Sequence, residues 1–193
     1  VEIVESIAQA INHYQPQHVV LDPVMVSTSG CKLISDEAIT AITRQLIPIT
    51  EIITPNLSET EILTGIHVHD QDTMYQAAKI LLSQGCKAAL IKGGHLEGNR
   101  MCDLLLTQES ETPYLFEAPK VESKNTHGTG CSLSSAIATF LALETPLPVA
   151  VEKAKEYVYQ GIMAGKDVQI GNGHGPLNHF FAPQPMHIFT KNE

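Results

Sequence analysis

No run of basic residues occurs anywhere in the 193-residue chain, whose 12 lysines and arginines stand against 21 aspartates and glutamates, for a net charge of −9. With a pI near 5.4, that balance argues against nucleic acid or an anionic membrane surface as the main partner, so any phosphate binding must be local. No segment approaches the roughly 18 apolar residues of a membrane span. The first residues, VEIVESIAQAI, alternate charge with apolar groups, unlike a secretory signal, and a cytoplasmic protein is expected. Cys31, Cys86, Cys102 and Cys131 form no CxxC pair or tight cluster. Their spacing suits reduced thiols better than a disulfide framework or a zinc site. His67 and His69 lack a carboxylate or cysteine at ligand spacing and read as loop histidines. Internal repeats and low-complexity linkers are absent as well.

What is present is ordinary globular composition, 43% hydrophobic and 17% charged, enough for one domain over residues 1–193 with its own core. Residues 1–14 read as an amphipathic helix with Ile3, Ile7, Ile11 and Tyr14 on the core stripe, ended by Pro16. A short β-branched strand follows at 18–21, with Asp22 at its carboxyl end. Open α/β sheets gather ligands there, although a solvated turn aspartate would look the same in sequence. Ser27 to Gly30 is a hydroxyl-rich turn. A helix is expected from Asp36 to Leu46, stopped by Pro48, and a strand at 51–54. Ser58 and Glu61 then read as a capping box for a helix ending at Gly65. That leaves Asn56 and Glu59, an amide and a carboxylate three apart, at a strand-to-helix turn suited to hydrated Mg²⁺ beside phosphates. Residues 74–84 give a helix with Ala77, Ala78, Leu81 and Leu82 inward, and 87–91 a buried strand. Lys92 and the turn Gly93, Gly94, His95 emerge from it, either as a solvated end or as a cation beside a phosphate. Residues 101–106 and 114–118 read as an antiparallel pair. A last long helix over 149–165 buries Val151, Ala154, Val158 and Ile162, and carries Lys155 one position round. The alternation of helix and strand predicts an α/β fold with a sheet covered on both faces.

The chain is organised around NTHGTGCSLSSAIATFLAL, residues 125–143, where a glycine turn runs into an apolar helix. Gly128 and Gly130 allow positive φ and close approach of a ligand. Unpaired amides from about Thr129 to Leu133 and the helix dipole favour an anion there. Leu133, Ala136, Ile137, Phe140 and Leu141 fix the helix in the core. A glycine pair alone also serves to start a helix close against a neighbour. Cys131 adds a thiol whose thiolate the helix start favours, placing a nucleophile or base next to the anion hole.

These residues resemble the signature of the hydroxymethylpyrimidine and phosphomethylpyrimidine kinases of thiamin biosynthesis, a branch of the ribokinase-like superfamily. The segments DPVMVSTSGCKLI, TPNLSETEILTG, IKGGHLEG and GNGHGPLNHFF extend the resemblance over nearly the whole chain. It implies a three-layer αβα ribokinase-like fold with a mainly parallel sheet. The activity implied is transfer of the γ-phosphate of ATP to 4-amino-5-hydroxymethyl-2-methylpyrimidine and then to its monophosphate. By the same resemblance Cys131 assists deprotonation of the acceptor, and the amides of Gly128, Thr129, Gly130 and Cys131 hold the transferring group. Asn56 and Glu59 order Mg²⁺, Asp22, Asn56, Lys92 and Lys155 lie near the phosphates and metal, and Val24 and Met25 touch the pyrimidine.

Members of this family usually begin with a glycine-rich segment resembling GSDxxGGAG, for which this sequence has no counterpart. N-terminal strands are thus expected to be missing, leaving an edge that pairs with other chains, and a homo-oligomer, a dimer, is expected. Three readings follow: the pyrimidine kinase, a pyridoxal-type kinase sharing NxxE and the glycine anion hole, and a nucleotide-binding module without catalysis.

Overall fold

The computed structural model describes residues 1–26, 31–94, 100–185 and 187. The turn expected at Ser27 to Gly30 and the His95 to Gly98 part of the glycine segment lie outside them. Among the described residues, five strands form one sheet in the order β1-β2-β3-β4-β5, with β1 at Val20–Leu21, β2 at Ile52–Ile53, β3 at Ala88–Lys92, β4 at Arg100–Thr107 and β5 at Ser110–Pro119. β1, β2 and β3 pair in parallel, and β4 runs antiparallel to both β3 and β5. Four of the five strands therefore point the same way.

Alternation along the strands assigns each face. Ile53, Ala89, Ile91, Leu104 and Leu106 pack with α4 (Gln71–Ser83), whose Met74, Ala77, Ala78 and Leu81 are buried as the spacing predicted. Ile52, Ala88, Leu90 and Leu105 turn to the other face, against α5 (Thr129–Ala142) and α6 (Leu147–Gly165). Leu133, Ile137 and Leu141 of α5 and Ala150, Val151 and Ala154 of α6 complete that cluster. The three layers of the expected αβα fold follow directly.

Two local expectations change. The first helix, α1 (Glu2–Tyr14), buries Val4 and Ala8 and leaves Ile3 and Tyr14 76% and 78% exposed. The core stripe is therefore one residue round from Ile3, Ile7 and Tyr14, with Val4 and Ala8 clustered against Ala41 and Leu46. The helix expected to end at Pro48 is α-helical only over α2 (Asp36–Ala41), then winds as π-helix through Ile42–Leu46 and 3₁₀-helix through Ile47–Ile49. Pro48 is accommodated inside the tight last turn instead of stopping the element before it.

Candidate active site

The parallel ladder continues past the paired residues: Thr54 N donates to Leu21 O and Lys92 N to Pro55 O, both at 2.9 Å. Asp22, Asn56 and Lys92 consequently stand side by side at the carboxyl ends of β1, β2 and β3. Lys92 follows Ala88 and Leu90 on the strand face that meets α5 and α6. Its Nζ donates to Asp22 Oδ1 at 3.0 Å, and Thr54 Oγ1 donates to the same oxygen at 3.2 Å. The two charged side chains are only 17% and 12% exposed, so loss of one would strand the other in a poorly hydrated place.

The start of α5 stands over this pair. A Cβ on Gly130 would lie 3.4 Å from Asp22 Oδ2 and 3.5 Å from Lys92 Nζ. Gly128 precedes the helix at φ 87°, and no side chain caps it. The run of free amides expected from Thr129 to Leu133 is narrower, because Thr129 N donates to Thr126 O at 3.3 Å and Ser132 N to Gly128 O at 2.9 Å. Among the described residues, the amides of Gly130 and Cys131 remain without acceptors, at the positive end of the helix. Cys131 itself is exposed.

Asn125 holds the turn from beneath. Its buried Nδ2 donates to Gly165 O at 2.7 Å and Val168 O at 2.5 Å, and its Oδ1 accepts from Gly175 N at 3.1 Å. A Cβ on Gly175 would fall 2.1 Å from Asn125 Oδ1, so only glycine permits the approach. His127 then donates from its amide to Gly175 O at 3.1 Å and bridges to Pro176.

An open cleft of about 1280 Å³ runs from Asn56, Lys92, Thr129 and Gly130 between β5 and α6. Lys155 of α6 lines it and is ion-paired with Asp103 of β4. Asp103, 7% exposed, also accepts from Gly93 N at 2.9 Å. Reading the sequence did not single out Asp103, although a carboxylate amid the apolar strand residues MCDLLLT is a signal that it needs a buried partner.

The capping box of α3 (Leu57–Thr64) is made by Asn56 and Glu59, not by Ser58 and Glu61. Asn56 Oδ1 accepts from Glu59 N at 2.9 Å, and Glu59 Oε2 accepts from Asn56 N at 2.8 Å. The helix starts two residues earlier than expected because β2 delivers the chain into it directly. Glu59 is 2% exposed, and burial pushes its carboxyl up from the usual range, opposed by the Asn56 amide and by Lys92, with Asp22 adding to the rise. An acid raised on folding contributes stability that is complete below the ordinary carboxylate range and lost as pH rises through its folded value. Urea unfolding should therefore show the wild type gaining on Glu59→Gln between pH 7 and pH 4; a loss of ground over that interval would mean the ionised form is the favoured one.

The pattern of the family described as phosphomethylpyrimidine kinase matches residues 1–178. The chain belongs to this family. It is 39% identical over 182 residues to the hydroxymethylpyrimidine/phosphomethylpyrimidine kinase of Escherichia coli strain K12, covering 94% of this chain and 68% of that one. It is equally identical over 185 residues to a thiamine biosynthesis bifunctional protein of Geobacter sulfurreducens, covering 96% of this chain and 37% of that protein. A solved structure of the pyridoxal kinase from Staphylococcus aureus in complex with AMP-PCP superposes with a TM-score of 0.82 at 28% identity, over 92% of this chain and 63% of that one. The chain thus spans between about a third and two thirds of the relatives it matches.

Within this phosphomethylpyrimidine kinase family chain, the structure brings together Asp22, Asn56, Glu59, Lys92, Gly128, Thr129, Gly130 and Cys131, with Lys155 on the opposite wall of the cleft. Of the two residues expected at the pyrimidine, Val24 is exposed and Met25 is fully buried with Ile53 and Ile91. The Met25 side chain serves the core, and only its neighbour stays open to a ligand. Asn125 opens the signature, yet its role as a clamp had no signal in spacing, because its partners lie 40 to 50 residues away.

Proposed function

We propose that this chain carries out ATP-dependent phosphorylation of 4-amino-5-hydroxymethyl-2-methylpyrimidine and of its monophosphate. The observation that carries the reading is Gly130, with its unfilled amide, set against the Asp22–Lys92 pair at the mouth of a cleft large enough for a nucleotide. Lys92 and Lys155 meet the phosphates. The amides of Gly130 and Cys131 receive the transferring phosphoryl group, where fixed donors stabilise charge without reorganising. Cys131, exposed beside them, takes the proton of the acceptor hydroxyl as that oxygen bonds to the γ-phosphorus and ADP departs.

The donors fit a hydrated Mg²⁺ that arrives with the nucleotide rather than an ion caged by protein. Among the described residues no three His, Cys, Asp or Glu side chains converge, and the Glu59 oxygens already face the amides of Asn56 and Met25. Mg²⁺ keeps several waters and takes one or two carboxylates plus phosphates. Asp22 would hold it at the cleft mouth, with Asn56 shaping the turn and Glu59 supplying charge behind it. Such an ion would supply positive charge against the nucleotide phosphates.

The test is ADP release with Mg²⁺ and ATP against a panel of acceptors. Turnover of the hydroxymethylpyrimidine and its monophosphate, with kcat/KM at least about tenfold above that for pyridoxal, is expected, since a site built around a ligand's polar groups rejects one that leaves them unpaired. The likeness to the Staphylococcus aureus pyridoxal kinase favours the second reading, a pyridoxal-type kinase, which a reversed preference would establish. Nucleotide binding without turnover of any acceptor would overturn both.

A further inference from the structure

Asp103 joins three elements at one buried point. It sits on β4 opposite Lys92 in the antiparallel register, and by alternation it shares the α5 and α6 face with Leu105. One carboxylate oxygen accepts the Gly93 amide, and the other accepts the Lys155 ammonium. Lys155 is itself only 16% exposed, and its helix is anchored by Val151 and Ala154 in the core. Gly93 is equally constrained: a Cβ there would lie 1.9 Å from Cys102 O. Neither partner can follow Asp103 if it moves, so the carboxylate fixes the separation between an ammonium on α6 and the turn that leaves β3.

We infer that Asp103 is a positioning residue for phosphoryl transfer, acting through Lys155. The inference rests on the kinase reading above. Two of the lysines that line the cleft are each held by an aspartate, Lys92 by Asp22 and Lys155 by Asp103. The pairs have different jobs. Asp22 lies against the anion turn, whereas Asp103 is a member of the sheet whose second hydrogen bond is to the backbone. With both carboxylate oxygens so engaged and the residue only 7% exposed, it acts on the cleft by aiming the Lys155 charge. Neutralising it leaves an acceptor for Gly93 N and a lysine of the same charge but no fixed direction, and misdirection of a catalytic charge costs transfer more than binding.

The experiment is a double-mutant cycle of Asp103→Asn and Lys155→Met in the whole chain, read by Mg·ATP calorimetry and by kcat with the pyrimidine acceptor. Asp103→Asn should keep the ATP dissociation constant within about threefold and lower kcat by at least about tenfold. In the Lys155→Met background the same substitution should change kcat by less than about twofold, because the two act as one unit. Undiminished loss in that background, or an unchanged kcat, overturns the proposal. Acylation of amines in the nucleotide-free chain, mapped by peptide, gives a readout independent of turnover: Lys155 should label severalfold faster in Asp103→Asn than in the wild type, and equal rates overturn the clamp. If Asp103→Asn fails to fold, Lys155→Arg replaces it. That variant keeps the charge and its partner but moves the charge off line, and should lose kcat at least about fivefold with ATP affinity retained; full activity overturns the proposal. A wild type that binds no ATP would sink the kinase reading, while the acylation result still decides whether Asp103 holds Lys155.

Discussion

Asn125→Asp is expected to lower the free energy of unfolding by about 3–5 kcal/mol, the cost of a buried charge without a partner. The native amide donates to two carbonyls, Gly165 O and Val168 O. A carboxylate there would meet both as an acceptor facing acceptors. For a chain of this length the melting temperature should fall by about 10 °C. The sign with pH is fixed by the same geometry. Carbonyl neighbours favour the protonated acid, which restores one donor, so the deficit should shrink as pH is lowered from 7 to 5. Urea unfolding of both proteins at the two pH values measures it. A variant within about 1 kcal/mol of the wild type at pH 7 would show that the side chain at 125 does not donate to those carbonyls, since even one lost bond to a buried acceptor costs that much.

Cys131→Ala should do the reverse, sparing the fold and removing the chemistry. Cys131 is exposed on the first turn of α5, and a surface substitution of that kind changes stability by about 0.5 kcal/mol or less. If the thiol takes the acceptor proton, kcat should drop by about 10²- to 10⁴-fold with ATP affinity unchanged. Calorimetry and steady-state kinetics on the same preparation separate the two quantities. A kcat within a few fold of the wild type would remove Cys131 from the reaction and leave the anion turn as the catalytic element.

Legibility from sequence followed the range of the interactions. Helices whose apolar positions repeat, α4 through Met74, Ala77, Ala78 and Leu81 and α6 through Val151 and Ala154, are buried in the phase that periodicity predicted. On α1 the period was right and the phase wrong, since isoleucines at 3 and 7 outweigh Val4 and Ala8 in apolar content, yet the smaller pair meets the core. The Asn56–Glu59 box shows a different limit. Its residue types satisfy both a helix start and a metal motif, and the neighbouring Ser58 and Glu61 offer the same spacing two residues further along. The ends of β1 and β3 placed Asp22 and Lys92 correctly because strand position alone decides it. Asp103 with Lys155, and Asn125 with Gly175, are contacts across 50 residues or more. No local pattern encodes those, and only the packing of α5 and α6 on the sheet brings them together.

The dependence of the anion turn on residues 165–176 also sets a timetable. A chain leaving the ribosome releases the five described strands by Pro119 and the turn itself soon after, yet the acceptors and donor that hold Asn125 follow later, at Gly165, Val168 and Gly175. Units of a chain fold as they emerge, so the sheet can be complete while the loop at 125–131 still lacks its fastening. The turn would then be fastened only once residue 175 has emerged, and a nascent chain halted before Gly175 would carry a formed sheet and an unfastened turn.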